Sequence, residues 1–112
     1  MPSGATVAEK DGIDLTLVTM TFDASDADRL VAVLSKYVVL SRGHTGCRNI
    51  DLAASATTPG RFVIIQKWVT PLDQQRHFDS DEMVSMAQGC KGILSRAPTI
   101  DLLEPISAHD LH

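Results

Sequence analysis

The chain predicts an α+β fold with elements in the order βαββαβ, the ferredoxin-like arrangement of one four-stranded antiparallel sheet with helices on one face. Three observations predict it. The segment Arg61 to Val69, RFVIIQKWV, is apolar on both faces, with Phe62, Ile64, Gln66 and Trp68 on one and Val63, Ile65, Lys67 and Val69 on the other; such a strand sits inside its sheet and is covered twice. Thr70-Pro71-Leu72-Asp73 follows at once as a helix start, because Thr70 can cap, proline suits the first helical position and Asp73 falls where the cap's partner carboxylate belongs. The flanking apolar patterns switch between period two and a helical period in that same order, with no internal repeat.

The totals bound the rest. A chain of 112 residues with 44% hydrophobic and 21% charged residues is one globular domain. That domain is expected over 14–106, between a flexible N-terminal segment, 1–13, and a C-terminal tail, 107–112. A net charge of -4 with scattered Lys and Arg argues against nucleic acid or an anionic membrane surface as partner. No apolar stretch approaches the roughly 18 residues of a spanning helix. Residues 1–13 lack the features of a secretory signal, so the cytoplasm is the expected location. Cys47 and Cys90 have no CxxC or Cys/His spacing and read as free thiols, and the four histidines show no metal spacing, so no metal site is expected.

In chain order, Asp14 to Phe22 is a first strand of β-branched and apolar residues. Ser25 with Asp28 marks a helix start, and Ala27, Leu30, Val31, Leu34, Tyr37 and Val38 repeat at helical steps over 26–42, with Gly43 placed for a left-handed end. Arg48, Ile50, Leu52 and Ala54 alternate against Cys47, Asn49, Asp51 and Ala53 in a second strand, which Pro59-Gly60 turns into a hairpin with the third. After the Thr70 cap a short helix runs through His77 and Phe78 and breaks into another over about 81–95, weakened at its far end by Gly89 and Gly92. Thr99 to Ile106 is a fourth strand at an edge. Two helical layers cover only one face of the sheet, so a second copy of the chain is expected on the other.

The GRFVIIQKW strand, the Thr-Pro helix start, the His77-Phe78 pair and the Met-bearing helix after it resemble the antibiotic biosynthesis monooxygenase family. The resemblance covers about 14–106 and implies a dimeric α+β barrel and a monooxygenase that oxidises a quinol or polyphenol with molecular oxygen as co-substrate and no other cofactor. Trp68 and His77 carry it over as catalytic candidates: the indole to position an aromatic ring, the imidazole to take a phenolic proton, since a substrate anion must itself reduce dioxygen. Many relatives hold a glutamate where this chain has Gln66, and enzymatic members place an asparagine in the cleft, whereas the single Asn here is Asn49 on strand two. Those departures motivate an alternative, a dimeric binding or sensor module that keeps the cleft without the chemistry. Haem degradation is the least expected activity.

The candidate substrate-binding residues are Asn49, Phe62, Gln66, Phe78, Met83 and Met86. Gln66 and Asn49 could hold a substrate oxygen, and the phenylalanines and methionines suit core packing and pocket lining together. Cys90 shares the apolar stripe of Met83, Met86 and Leu94 and reads as a small buried hydrophobe; His44 reads as a loop residue and Lys67 as an intersubunit or surface charge.

Overall fold

The computed structural model describes residues 15–107. The segment 1–13 and the tail beyond Ser107, with His109 and His112, lie outside the described residues. The elements are β1 (Thr16–Asp23), α1 (Ala27–Ser41), β2 (Cys47–Ala54), β3 (Arg61–Trp68), α2 (Pro71–Phe78), α3 (Asp81–Gly89) and β4 (Thr99–Leu103). They form one antiparallel sheet in the order β2-β3-β1-β4, the ferredoxin-like fold.

The period-two pattern sets which face is covered. Val18, Met20 and Phe22 of β1, Ile50 of β2 and Ile64, Gln66 and Trp68 of β3 are buried under the helices. Leu30, Leu34, Tyr37 and Val38 of α1 and Met86 of α3 close the core from above, each fully buried Leu contributing on the order of 1.5–3 kcal/mol. The opposite face has no such cover: Thr19, Thr21, Val63 and Lys67 are half-buried and Ile65 is exposed. At one end of the sheet Arg61 donates to both oxygens of Asp23, at 2.7 and 3.0 Å, tying β3 to β1 and holding the Asp23 carboxyl below its ordinary pKa.

The helix starts follow the side chains that can satisfy free backbone N–H groups. Thr70 accepts from Asp73 N at 3.1 Å with Pro71 next in line, as its sequence predicts, and Ser80 caps α3 by accepting from Met83 N. The first helix differs: Asp26, not Ser25, accepts from Arg29 N, while the N–H groups of both residues donate to Ile93 O, at 2.9 Å from Ser25 and 3.4 Å from Asp26. The left-handed residue after α1 is Gly46, at φ +81°, rather than Gly43.

Two further expectations are corrected. The helix expected to reach residue 95 stops at Gly89, with Cys90 as its C-cap and Gly92 at φ +81°. The segment beyond it instead joins the end of the sheet, where Leu94 bridges Ala24 and Ser95 N donates to Asp23 O at 2.8 Å. In β2 the register shifts between Cys47 and Asn49, which places Cys47 opposite Trp68 and packs it against the core, away from the face shared by Asn49, Asp51 and Ala53.

Gly46 fixes the α1–β2 loop to α2. Its carbonyl accepts from Val69 N at 2.8 Å, and a Cβ at this position would overlap the Asp73 carboxylate. Gly46→Ala therefore combines a left-handed backbone penalty of about 1–2 kcal/mol with a steric one. Urea denaturation should show a loss of at least that size, whereas Gly43→Ala, which meets nothing within 4 Å, should be close to neutral.

Candidate functional site

The buried interior contains a chain of polar side chains that begins on β3 and ends at the surface. The Trp68 indole N–H donates to Gln66 Oε1 at 2.8 Å, and Gln66 Nε2 donates to the Tyr37 hydroxyl at 2.8 Å. Tyr37 meets His77 Nε2 at 2.5 Å, His77 Nδ1 lies 3.0 Å from His44 Nδ1, and His44 Nε2 lies 2.9 Å from Glu82 Oε1. Gln66, Trp68 and His77 are buried, with His77 only 1% exposed. His44 and Glu82 stand at the rim, with side chains 24% and 31% exposed.

Each member is delivered by a different element. Gln66 and Trp68 point inward because they keep the parity of Ile64 on β3. Tyr37 lies on the apolar stripe of α1, one turn after Leu34, so its ring packs in the core while its hydroxyl needs a partner. His77 sits in the last turn of α2, its ring 4.6 Å from Trp68 at 30° and 4.9 Å from His44 at 70°. Gln66 is the hinge of the arrangement: an apolar residue there would strand the Trp68 N–H, at about 1–3 kcal/mol for a buried unsatisfied group.

Clefts formed by the described residues border this chain. An apolar one of 280 Å³ lies between α3 and the β1–β4 side of the sheet, lined by Met20, Phe22, Met83, Met86, Cys90 and Ile100 among others. A smaller one of 150 Å³ between α1 and α3 is lined by Tyr37 and Glu82 and shares Met86 with the first. A polar cleft of 380 Å³ is lined by His44, Asp73, Arg76, His77 and Ser80. Met20 partitions the apolar cleft from the polar chain, since its sulfur accepts from Gln66 Nε2 at 3.3 Å. Among the described residues, no three of His, Cys, Asp and Glu come together as a metal site.

The sequence candidates divide accordingly. Gln66, Trp68 and His77 meet in one cluster, with the Phe78 ring 6.5 Å from His77. Trp68 is stacked on His77 and has no face left open to a ligand. Met83 and Met86 line the apolar cleft. Phe62 pairs across the sheet with Phe22 and packs against the core. Asn49 lies elsewhere: it is on the uncovered face of β2, exposed, and donates to Asp51 Oδ2 at 2.9 Å. Tyr37, His44 and Glu82 are the members that sequence reasoning passes over, and the signal for them was Gln66 itself, a polar residue on a core-facing strand position that requires partners.

With this fold and site in place, the family is plain: the chain belongs to the antibiotic biosynthesis monooxygenase family, whose sequence model matches residues 15–89. Among solved structures, a Pseudomonas aeruginosa protein is 26% identical with a TM-score of 0.73, over 85% of this chain and 96% of that one. A Mycobacterium tuberculosis protein is 22% identical with a TM-score of 0.77, over 86% of this chain and 99% of that one. A candidate antibiotic biosynthesis monooxygenase from Nitrosomonas europaea is 12% identical with a TM-score of 0.78, over 85% and 93%. The last two likenesses concern the fold. No curated protein matches the chain.

Burial keeps the inner members His77 and Tyr37 neutral. Burial, and then the adjacent His44, lower the His77 pKa to about 4, with Glu82 pulling weakly the other way. Burial raises Tyr37 well above the ordinary phenol range, and it raises the thiols of Cys47 and Cys90. The unfolded imidazole titrates near 6.5, so the unfolded chain binds the proton more tightly than the folded one. The stability contributed by neutral His77 is complete above about pH 6.5 and is lost as pH falls toward 4, up to ~3 kcal/mol at about 1.4 kcal/mol for each pH unit. Urea unfolding between pH 7.5 and 4 should reveal this loss, and His77→Gln should lack that increment.

Proposed function

We propose that the chain is a homodimeric monooxygenase that oxidises a quinol or polyphenol with dioxygen and no other cofactor. The observation that carries the reading is the neutral, buried His77, stacked on Trp68, bonded to Tyr37 and separated by Met20 and Met86 from an apolar cleft. Apolar walls with a few convergent polar groups suit a small aromatic ligand. Methionine side chains are adaptable enough to let a ring approach the Tyr37 hydroxyl.

Deprotonation is the step these residues serve. The substrate O–H breaks, its proton passes by way of Tyr37 toward His77, and the electron-rich anion reduces dioxygen itself. One oxygen atom ends on a ring carbon and the other leaves as water, so that a quinol and dioxygen become a hydroxyquinone and water. His77 is suited to this because it is unprotonated at neutral pH, and Trp68 sets the plane of its ring.

Oxygen uptake over a panel of hydroquinones, naphthoquinols and anthrones tests the reading. Turnover should exceed the uncatalysed rate for at least one of them, and His77→Gln should lower kcat by at least ~100-fold, the low end for positioned acid–base chemistry. No uptake across the panel would reject it. The rival reading, a binding module without turnover, draws on Gln66 and on the full burial of Trp68 and His77, which leaves no polar side chain of the cluster directed freely into the apolar cleft. It is favoured if these compounds change Trp68 fluorescence without oxygen consumption, and if Gln66→Glu then restores turnover.

The dimer is part of the proposal. Val63 and Ile65 leave an apolar patch on the side of the sheet away from the helices, and a second sheet would cover it. Sedimentation at micromolar concentration should give twice the 12.1 kDa of one chain, and Ile65→Lys should shift it to monomer. A monomeric parent would contradict the dimer.

A further inference from the structure

We infer that His44 and Glu82 form the outlet of a one-way proton relay that starts at the Tyr37 hydroxyl and runs through His77 to the surface. The inference takes its substrate proton from the monooxygenase reading, but its direction rests on hydrogen-bond chemistry alone.

An indole N–H can only donate, so Gln66 must turn its carbonyl oxygen to Trp68 and its amide N–H to Tyr37. Tyr37 accepts that bond, and with the neighbouring Ser41 hydroxyl available as a second donor to its oxygen, its own proton points at His77 Nε2. A bare Nε2 in a neutral imidazole puts the proton on Nδ1, which faces His44 Nδ1. His44 then carries its proton on Nε2, aimed at Glu82 Oε1, where the carboxylate oxygen accepts. In this arrangement every donor along the five contacts points outward, from an indole that only donates to a carboxylate that accepts.

Such a chain is set to move one proton in one direction. A proton delivered to the Tyr37 oxygen releases the tyrosine's own to His77 Nε2. The His77 Nδ1 proton passes to His44 Nδ1, and the His44 Nε2 proton passes to Glu82. One O–H or N–H bond forms as another breaks at every link, and Glu82 alone changes charge. The low proton affinity of His77 means that no charge rests in the core. Tyr37 and Glu82 both border the 150 Å³ cleft, so inlet and outlet lie at the same gap between α1 and α3 but are joined through the interior. His44 and Glu82 are positioning residues in this scheme, since neither is placed against a substrate.

Nitrogen-15 NMR of the histidine rings in the intact protein tests the relay without any turnover. His77 should be protonated at Nδ1 and His44 at Nε2. Exchange of the His77 ring proton with solvent should slow at least ten-fold in Glu82→Gln, which keeps a hydrogen-bond acceptor but cannot take a proton, and should recover in Glu82→Asp. A His77 protonated at Nε2, or an exchange rate unchanged in Glu82→Gln, overturns the relay. If the oxygen-uptake panel finds a substrate, Glu82→Gln should lower kcat and leave KM unchanged. An inactive parent would reject the monooxygenase reading while the ring-proton results still decide the relay.

Discussion

The Trp68 indole is buried completely, and its N–H must find an acceptor inside a core made mostly of apolar side chains. Gln66 supplies the acceptor from two positions earlier on the same strand face. That choice commits the remainder of the amide: its nitrogen needs acceptors, and it finds the Tyr37 hydroxyl and the Met20 sulfur. Polar groups in a medium of low dielectric are costly when unpaired and rigid when paired. One buried N–H therefore propagates a demand for partners from the sheet to α1, α2, the loop beyond α1 and finally α3. The helices are held over the sheet by apolar burial, but their rotation about their own axes is constrained by this polar chain.

The two faces of the sheet then play different parts. The covered face carries both the aliphatic core and the polar chain, while the other presents threonines, Val63 and Ile65 around Lys67. The edge strand β4 is exposed along its whole length, with Leu102 and Leu103 pointing to opposite sides. Edge strands of that character need a cover of some kind, in keeping with a fold that buries a second surface by association.

Much of the fold was legible because it rests on local rules. Strand β3, the Thr70-Pro71 start, the Pro59-Gly60 hairpin and the edge position of β4 follow from period two and from turn and cap chemistry. The errors arose where a tertiary contact overrode a local preference. Asp26 rather than Ser25 caps the first helix, in a segment pinned by the bonds of both backbone N–H groups to Ile93 O, and the last helix ends at Gly89, beyond which Leu94 and Ser95 join the end of the sheet. The site was half legible. Gln66, Trp68 and His77 stand close in sequence and share one punctuated stretch, whereas Tyr37 and His44 lie 40 and 33 residues from His77. Tyrosine on an apolar helical stripe looks like any other large core residue, and nothing near it in sequence tells where its hydroxyl goes.

At Gly89 α3 packs closely on α1: a Cβ built there would stand 3.0 Å from a methyl of Val33. The absence of one carbon thus serves as a spacer between the two helices. Met86 lies one turn earlier on the same helix and forms a wall common to two of the clefts. The width of the gap between α1 and α3 is thus geared to a single missing methyl group, so one substitution at Gly89 narrows the cleft that Tyr37 and Glu82 border without replacing any member of the polar chain.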